Sequence, residues 1–309
     1  MEEPRAYQNE ADLKAMIDLL IAGRHARNGS YYVHTGDLCW WLFYPPLSGG
    51  LWSSIYLWGD PDESEHLLAW ALLSGGDIFE VYVQPELRGS TFARQAYTWA
   101  IEQCAQRAQQ NGLEKISVMW IAEDDDLLPN WLQEAGFVLK KNDVLMERYL
   151  EVSDSGLAEL QGFCIRACHG EKEVEARATA QYSTFGNTAP FEQYLERWRN
   201  FMRSPVYDPE LETLAVAPDG CIAAFCLTWT DPVNRIGLFE PVGTHPDFRR
   251  LGLGRAVMAE ACRRLAQRGM TRAMVCTSQD NLPAIKLYES VGFRTVNRLG
   301  MYQKQLIQM

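Results

Sequence analysis

At 309 residues the chain is long enough for two domains, each with its own core. A hydrophobic content of 47% with 22% charged residues excludes a disordered or fibrous class. The formal net charge of −11 disfavours nucleic acid, whose phosphates need a basic face, and is compatible with a cationic acceptor or with simple solubility. The start, MEEPRAYQNEADLK, has no basic region leading into an apolar one, and no run approaches a membrane span, so a cytoplasmic protein without a membrane partner is expected. Eight cysteines stand at 39, 104, 164, 168, 221, 226, 262 and 276, with no CxxC pair and no histidine cluster beside them. That spacing argues against a zinc site or a disulfide framework, predicts buried reduced thiols, and leaves no metal expected. The oligomeric state is not legible.

Leu13, Met16, Ile17, Leu20 and Ile21 recur at three-and-four spacing, predicting an amphipathic helix over 11–22. The aromatic segment YYVHTGDLCWWLFYPP and the run LWSSIYLWG follow. Their Trp40, Trp41, Phe43, Tyr44, Trp52 and Trp58 suit strand and core packing, or the wall of an apolar pocket. HLLAWALLSGG and DIFEVYVQP read as strands, Arg88 opens a long helix to about Arg107, and KISVMWIA is a further buried strand. EVSDSGLAELQG is polar and small enough to be a linker. FCIRAC is a strand with Cys164 and Cys168 expected on one face. EKEVEARATAQYSTF and PFEQYLERWRNFMRS are helices, the second with Phe191, Tyr194, Leu195, Trp198, Phe201 and Met202 on one stripe. LETLAVAPDG and CIAAFCLTWTD form a hairpin about Pro218-Asp219-Gly220 and lead to a central strand.

The most informative stretch is IGLFEPVGTHPDFRRLGLGRAVM, followed by NLPAIKLYESVGF. An apolar run ends at a proline turn, and Arg249, Arg250, Leu251, Gly252, Leu253, Gly254 and Arg255 then open an amphipathic helix. Glycines at 252 and 254 let phosphates approach the main chain, where the first free N–H groups of the helix and its dipole attract an anion. The arginines add charge at the same place. With the downstream Asn281, Ala284, Leu287-Tyr288 and Gly292-Phe293, the chain carries RxxGxG and NxxAxxLYxxxGF in order. Together the two blocks resemble the GNAT superfamily of acetyl-CoA-dependent acyltransferases over roughly the last 150 residues.

Aligning VYVQPELRGSTFARQA with VGTHPDFRRLGLGRAV pairs Pro85 with Pro246, Arg88 with Arg249 and Ala93 with Gly254, an offset of 161 (246 − 85). Gly136-Phe137 pairs with Gly292-Phe293 at 156 (292 − 136). The chain therefore resembles two tandem GNAT-like domains of α/β class with mixed sheets: residues 1–152, a linker at 153–161, and residues 162–309. In the first copy Thr91 replaces Gly252, Asp125 replaces Asn281 and Leu132 replaces Tyr288, and an acidic run Glu123–Asp126 lies where the family binds its cofactor. The first copy is accordingly read as silent, an arrangement similar to that of mycothiol synthases, although no feature carries their substrate over.

The resemblance implies transfer of an acetyl or other acyl group from acetyl-CoA, or another acyl-CoA, to an amine of a small molecule or peptide. It places the Val242 N–H at the developing oxyanion, Gly243 and Thr244 along the pantetheine arm, Asn281 and Ala284 beside the cofactor, and Tyr288 as acid for the leaving thiolate. It also sets Tyr182, Phe185, Tyr194 and Trp198 as substrate-facing candidates. Tyr288 is otherwise a core tyrosine. Glu240 precedes Val242 by two residues, so alternation puts both on one face. An ordinary carboxylate of pKa ~4.3 taking a proton from an ammonium of pKa ~10.4 works roughly 8 kcal/mol uphill. Glu240 as a base thus requires a pKa raised by burial, a water relay to an amine already partly deprotonated, or proton uptake after attack. It could instead orient the strand or bind the ammonium, and His245 is the second candidate base. The alternative from another class is a non-catalytic module that senses acyl-CoA or binds a partner.

Overall fold

The computed structural model describes residues 3–26, 33–44, 51–59, 67–151, 160, 162–186 and 188–306. The expected linker at 153–161 falls almost wholly outside them. The described chain forms two compact units that interleave in sequence: one draws on 1–33, 50–144 and 297–309, the other on 34–49 and 145–296. The division at 153–161 separates the two copies of the sequence repeat; it does not separate these units.

The first unit is a mixed sheet with helices α1 (Glu10–Ala26), α3 (Thr91–Gln110) and α4 (Leu128–Glu134). Its strands β1 (Arg5–Ala6), β2 (Ile55–Gly59), β3 (Leu67–Ser74) and β4 (Ile78–Val83) are antiparallel neighbours in that order. β4 then runs parallel to β5 (Lys115–Ala122), and β5 pairs antiparallel with the last strand, β12 (Arg294–Gln305). The long helix begins at Thr91, three residues after Arg88, because Ser90 is its cap: the Ser90 hydroxyl accepts from Ala93 N at 3.2 Å. Phe79, Val81, Ala96, Ala100, Cys104, Ile116, Val118 and Phe137 make its core.

The second unit has β6 (Val138–Tyr149), from residue 145 onward, bordering β11 (Arg272–Ser278). Beyond β11 come β10 (Ile236–Thr244), β9 (Ile222–Asp231), β8 (Glu212–Val216) and β7 (Cys164–Ala167). Almost every residue of β9 is buried, as expected for a strand covered on both faces. α7 (Leu253–Gln267) packs on β8 and β9, α5 (Val174–Phe185) packs on β9 and β10, and α6 (Phe191–Met202) packs on α5. Buried Arg177 pairs with Glu212, lies 4.3 Å from the Trp198 ring centroid and 3.8 Å from that of Phe225, and so ties α5 to the sheet.

Two expectations need correction here. The aromatic segment after Val33 is a helix, α2 (Thr35–Phe43), and belongs to the second unit. Its start is a reciprocal cap: Gly36 N donates to His34 Nδ1 at 3.0 Å, and His34 N donates to Asp37 Oδ2 at 2.5 Å. Its rings enter an aromatic cluster, with Trp40 stacked on Tyr44 at 4.1 Å and edge-on to Phe201 at 5.0 Å. Cys164 and Cys168, in turn, do not share an environment: Cys164 is exposed, whereas Cys168 is buried beyond the end of β7.

Candidate active site

The centre of the second unit is a break in β10. β10 runs parallel to β11 only from Ile236 to Phe239, while against β9 its register shifts between Phe239 and Val242. The bulge holds Glu240 and Pro241, joined by a cis peptide, so simple alternation across it does not apply. Trp229 Nε1 satisfies the Glu240 carbonyl at 2.9 Å. Past the bulge, His245 N donates to Ala223 O of the β9 side at 2.9 Å. Alternation then points the main-chain groups of Gly243 towards β9 and those of Val242 and Thr244 to the edge that β11 has left. Gly243 itself lies against the Phe225 ring. β10 therefore presents an edge at Val242 and Thr244 that no described strand pairs, with the Thr244 carbonyl met by Arg249.

That edge leads to the start of α7. Gly252 caps this helix with φ +80°, a left-handed conformation that a side chain disfavours, and supplies no side chain to satisfy the first N–H groups. A Cβ added there meets nothing within 4 Å, so the turn is open. At Gly254 a Cβ would stand 3.0 Å from Thr244 Oγ1 and 3.2 Å from Leu287, so this glycine brings α7 against both β10 and α8 (Leu282–Ser290). Arg249 bonds the carbonyls of Thr244 and Thr184, each at 3.4 Å. Leu251 is half exposed and Leu253 is buried beneath the turn. Open N–H groups beside Arg249, Arg250 and Arg255 fit a pyrophosphate.

The second motif reads as local structure. Asn281 caps α8 by accepting from Ala284 N at 3.3 Å, which accounts for the NxxA spacing, and its Nδ2 donates to Thr277 Oγ1 at 3.2 Å. Gly292, at φ +93°, ends the helix, and Phe293 turns back onto Phe239 of β10 at 5.5 Å. Between them Tyr288 is buried. Burial raises its phenol pKa, with smaller contributions from Cys226, Cys276 and Glu240. This is opposite to the lowering that would ease proton donation to a thiolate.

Glu240 faces a residue that sequence reasoning missed. Its carboxyl is enclosed by protein although the residue keeps some exposure, and its pKa is raised well above 4.5 by desolvation, by the charge of Asp37 and by a hydrogen bond with Asp37. Asp37 is placed there by α2. His34 Nδ1 accepts a hydrogen bond, so Nε2 carries the proton and donates towards Ile236 O at 3.4 Å. Gly36 has no room for a Cβ, which would stand 2.3 Å from the Trp229 ring. Two carboxyls sharing a hydrogen bond hold one proton between them more readily than none. His245, by contrast, accepts from Asp247 N at 3.3 Å and packs by Phe248, which holds the turn before α7.

Of the four aromatic candidates, Tyr194 and Trp198 are core residues, Tyr182 donates to Ala189 O at 2.8 Å, and Phe185 is exposed. Among the described residues no group of three or more metal-ligating side chains occurs. No described helix is long and apolar enough to cross a membrane.

Residues 173–293, which lie within the second unit, match the acetyltransferase (GNAT) family model. A mycothiol acetyltransferase of Kineococcus radiotolerans is 37% identical over 114 residues, covering 35% of this chain and 36% of the relative. Another, of Thermomonospora curvata, is 30% identical over 187 residues, 58% of this chain and 61% of that protein. The matches thus span less than two thirds of these relatives. The fold is shared with a GCN5-related N-acetyltransferase from Sphaerobacter thermophilus, at TM-score 0.65 and 21% identity over 98% of this chain and 96% of that one. It is shared also with a tandem GNAT protein from the clavulanic acid biosynthesis pathway, at TM-score 0.70 and 14% identity over 99% and 98%. At these identities the likeness is one of fold, and it extends along both copies.

Proposed function

We propose that the chain is an N-acyltransferase that moves an acetyl group from acetyl-CoA to an amine, with its working site in the second unit. The observation that carries this reading is the bulge at Glu240-Pro241, which parts β10 from β11 next to an uncapped helix start flanked by arginines. Gly252, Leu253 and Gly254 with Arg249, Arg250 and Arg255 hold the pyrophosphate, and the Thr244 edge aligns the pantetheine arm. The Val242 N–H receives the thioester carbonyl as it becomes an oxyanion; a donor of this kind contributes roughly 3 kcal/mol.

The acceptor nitrogen forms its bond to the carbonyl carbon and the C–S bond breaks. An ammonium acceptor first gives up one proton to solvent and attacks as the free amine; its second proton then leaves the nitrogen for the Glu240–Asp37 pair, whose raised pKa makes it a stronger base than an ordinary carboxylate. Tyr288, whose phenol burial favours in its protonated form, donates a hydrogen bond to the departing sulfur and then its proton. The phenolate regains a proton from the pair, and the products are an amide and CoA thiol. In the form that accepts this proton the pair is anionic and suits an ammonium. The names of the relatives support a small-molecule amine as acceptor over a peptide. A free-thiol release assay against a panel of small-molecule amines tests the reading. Acetyl-CoA binding with no thiol release across the panel would favour a non-catalytic acyl-CoA module.

A further inference from the structure

The two copies of the repeat treat the same cleft in opposite ways. In both, the parallel pairing of the central strand ends at a phenylalanine: Phe79 opposite Val118 in the first unit, Phe239 opposite Val275 in the second. Each ring meets the phenylalanine of its own Gly-Phe pair, at 5.9 Å for Phe79–Phe137 and 5.5 Å for Phe239–Phe293. These positions differ by 160 (239 − 79), whereas the prolines after the strands differ by 161 (246 − 85). One residue has therefore been added in β10, and it lies in the bulge. β4 has no such addition, for it pairs with β3 in unbroken register from Ile78 to Val83.

Glu80 of the first unit accordingly stands where Glu240 stands. With no bulge to turn it aside, Glu80 is buried and accepts from Met119 N of β5 at 3.2 Å, filling the gap between the parting strands. Gln84 N donates to Leu68 O, so alternation aims the main chain of Val81 into the cleft, as with Val242. The Val81 carbonyl is already taken by Tyr97, whose hydroxyl donates to it at 3.0 Å; Met258 occupies the aligned place in the second unit. Ser90 satisfies an N–H at the start of α3, the task that Gly252 leaves undone on α7.

The last contact spans the mouth of the cleft. Arg88, aligned with Arg249, forms an ion pair with Asp125, aligned with Asn281, and reaches Asp126 at 3.1 Å. Asp125 also accepts from Leu127 N and Leu128 N at the start of α4, both at 2.9 Å. A carboxylate of the chain thus holds the arginine aligned with Arg249, while also capping α4 as Asn281 caps α8. The void left among Val81, Tyr97, Arg88 and Asp125 is about 40 Å³, room for a few water molecules.

We infer that the cofactor cleft of the first unit is sealed by its own Glu80, Tyr97 and Arg88–Asp125 side chains, so that a saturated chain holds a single acyl-CoA, in the second unit. Only the location of that one ligand rests on the proposed function; the seal rests on the first unit's contacts.

Native mass spectrometry of the full chain with saturating acetyl-CoA tests this, run beside Gly252→Asp. One equivalent on the wild type, and on the variant one equivalent bound at least tenfold more weakly, is the expected result. Two equivalents on the wild type, or one bound by Gly252→Asp with undiminished affinity, would overturn the seal. No binding to either protein would leave the seal standing and sink the second-unit site. Hydrogen exchange over 115–122 supplies a readout independent of the variant. The Met119 amide should exchange equally slowly with and without acetyl-CoA, and a ligand-dependent change there would also overturn the inference.

Discussion

The carboxyl of Asp37, at the start of α2, shares a hydrogen bond with the carboxyl of Glu240, in the bulge of β10. Desolvation and the second carboxyl both favour the protonated form, so the base limb of the pH–rate profile should lie above the usual glutamate range. Asp37→Asn removes the like charge while leaving desolvation in place. The limb should then move towards acid without reaching an ordinary glutamate, as read from kcat/KM against pH; an unmoved limb would show that Glu240 is not the titrating base.

The same pair has a signed effect on stability. A carboxyl whose folded pKa exceeds its unfolded value stabilises the fold most below that unfolded value, near 4.5, and the contribution is lost as pH rises through the folded pKa. Urea midpoints of wild type against Glu240→Gln should therefore diverge as pH rises above about 4.5, with the variant the less affected.

At the helix start, Gly252→Asp places a carboxylate on the open turn and should weaken acetyl-CoA binding at least tenfold, about 1.4 kcal/mol. Gly252→Asn is the control for backbone strain, since asparagine tolerates a positive φ without adding charge. Calorimetric titration should show a much larger loss for Asp than for Asn. Equal losses would assign the effect to strain alone.

Tyr288→Phe should lower kcat by about a hundredfold or more while leaving acetyl-CoA affinity within a few-fold. Tyr288 is buried against Phe293, so phenylalanine preserves the packing. Unchanged turnover would return this residue to the core.

Breaking the buried Arg177–Glu212 pair tests how α5 is anchored. Glu212→Ala leaves a guanidinium stranded between Trp198 and Phe225 and should cost about 3–5 kcal/mol of stability by chemical denaturation.

Much of this was legible in sequence because the informative residues act locally. Asn281 caps its own helix, Gly292 ends it and Phe293 folds back, so the second motif's spacing is the spacing of one helix. Gly252 and the arginines likewise mark a turn that short-range order defines. Helix α2 was not legible as a helix, since aromatic bulk in WWLFY hides any polar face and its start depends on a histidine acting as a cap. Asp37 stood out even less: its role arises only when α2 meets β10. The bulge left one trace, the change of offset from 160 (239 − 79) to 161 (246 − 85), which acquires meaning once the two phenylalanines are seen to occupy matching places.

β12 begins in one unit and ends in the other, and α2 is coded within the first copy yet completes the second. Cutting the gene at the junction of the two copies would therefore yield two mutilated proteins: a front half missing the strand that pairs with β5, and a rear half deprived of the acid that neighbours Glu240. Each copy of the repeat thus lends the other's unit a piece that it does not encode itself.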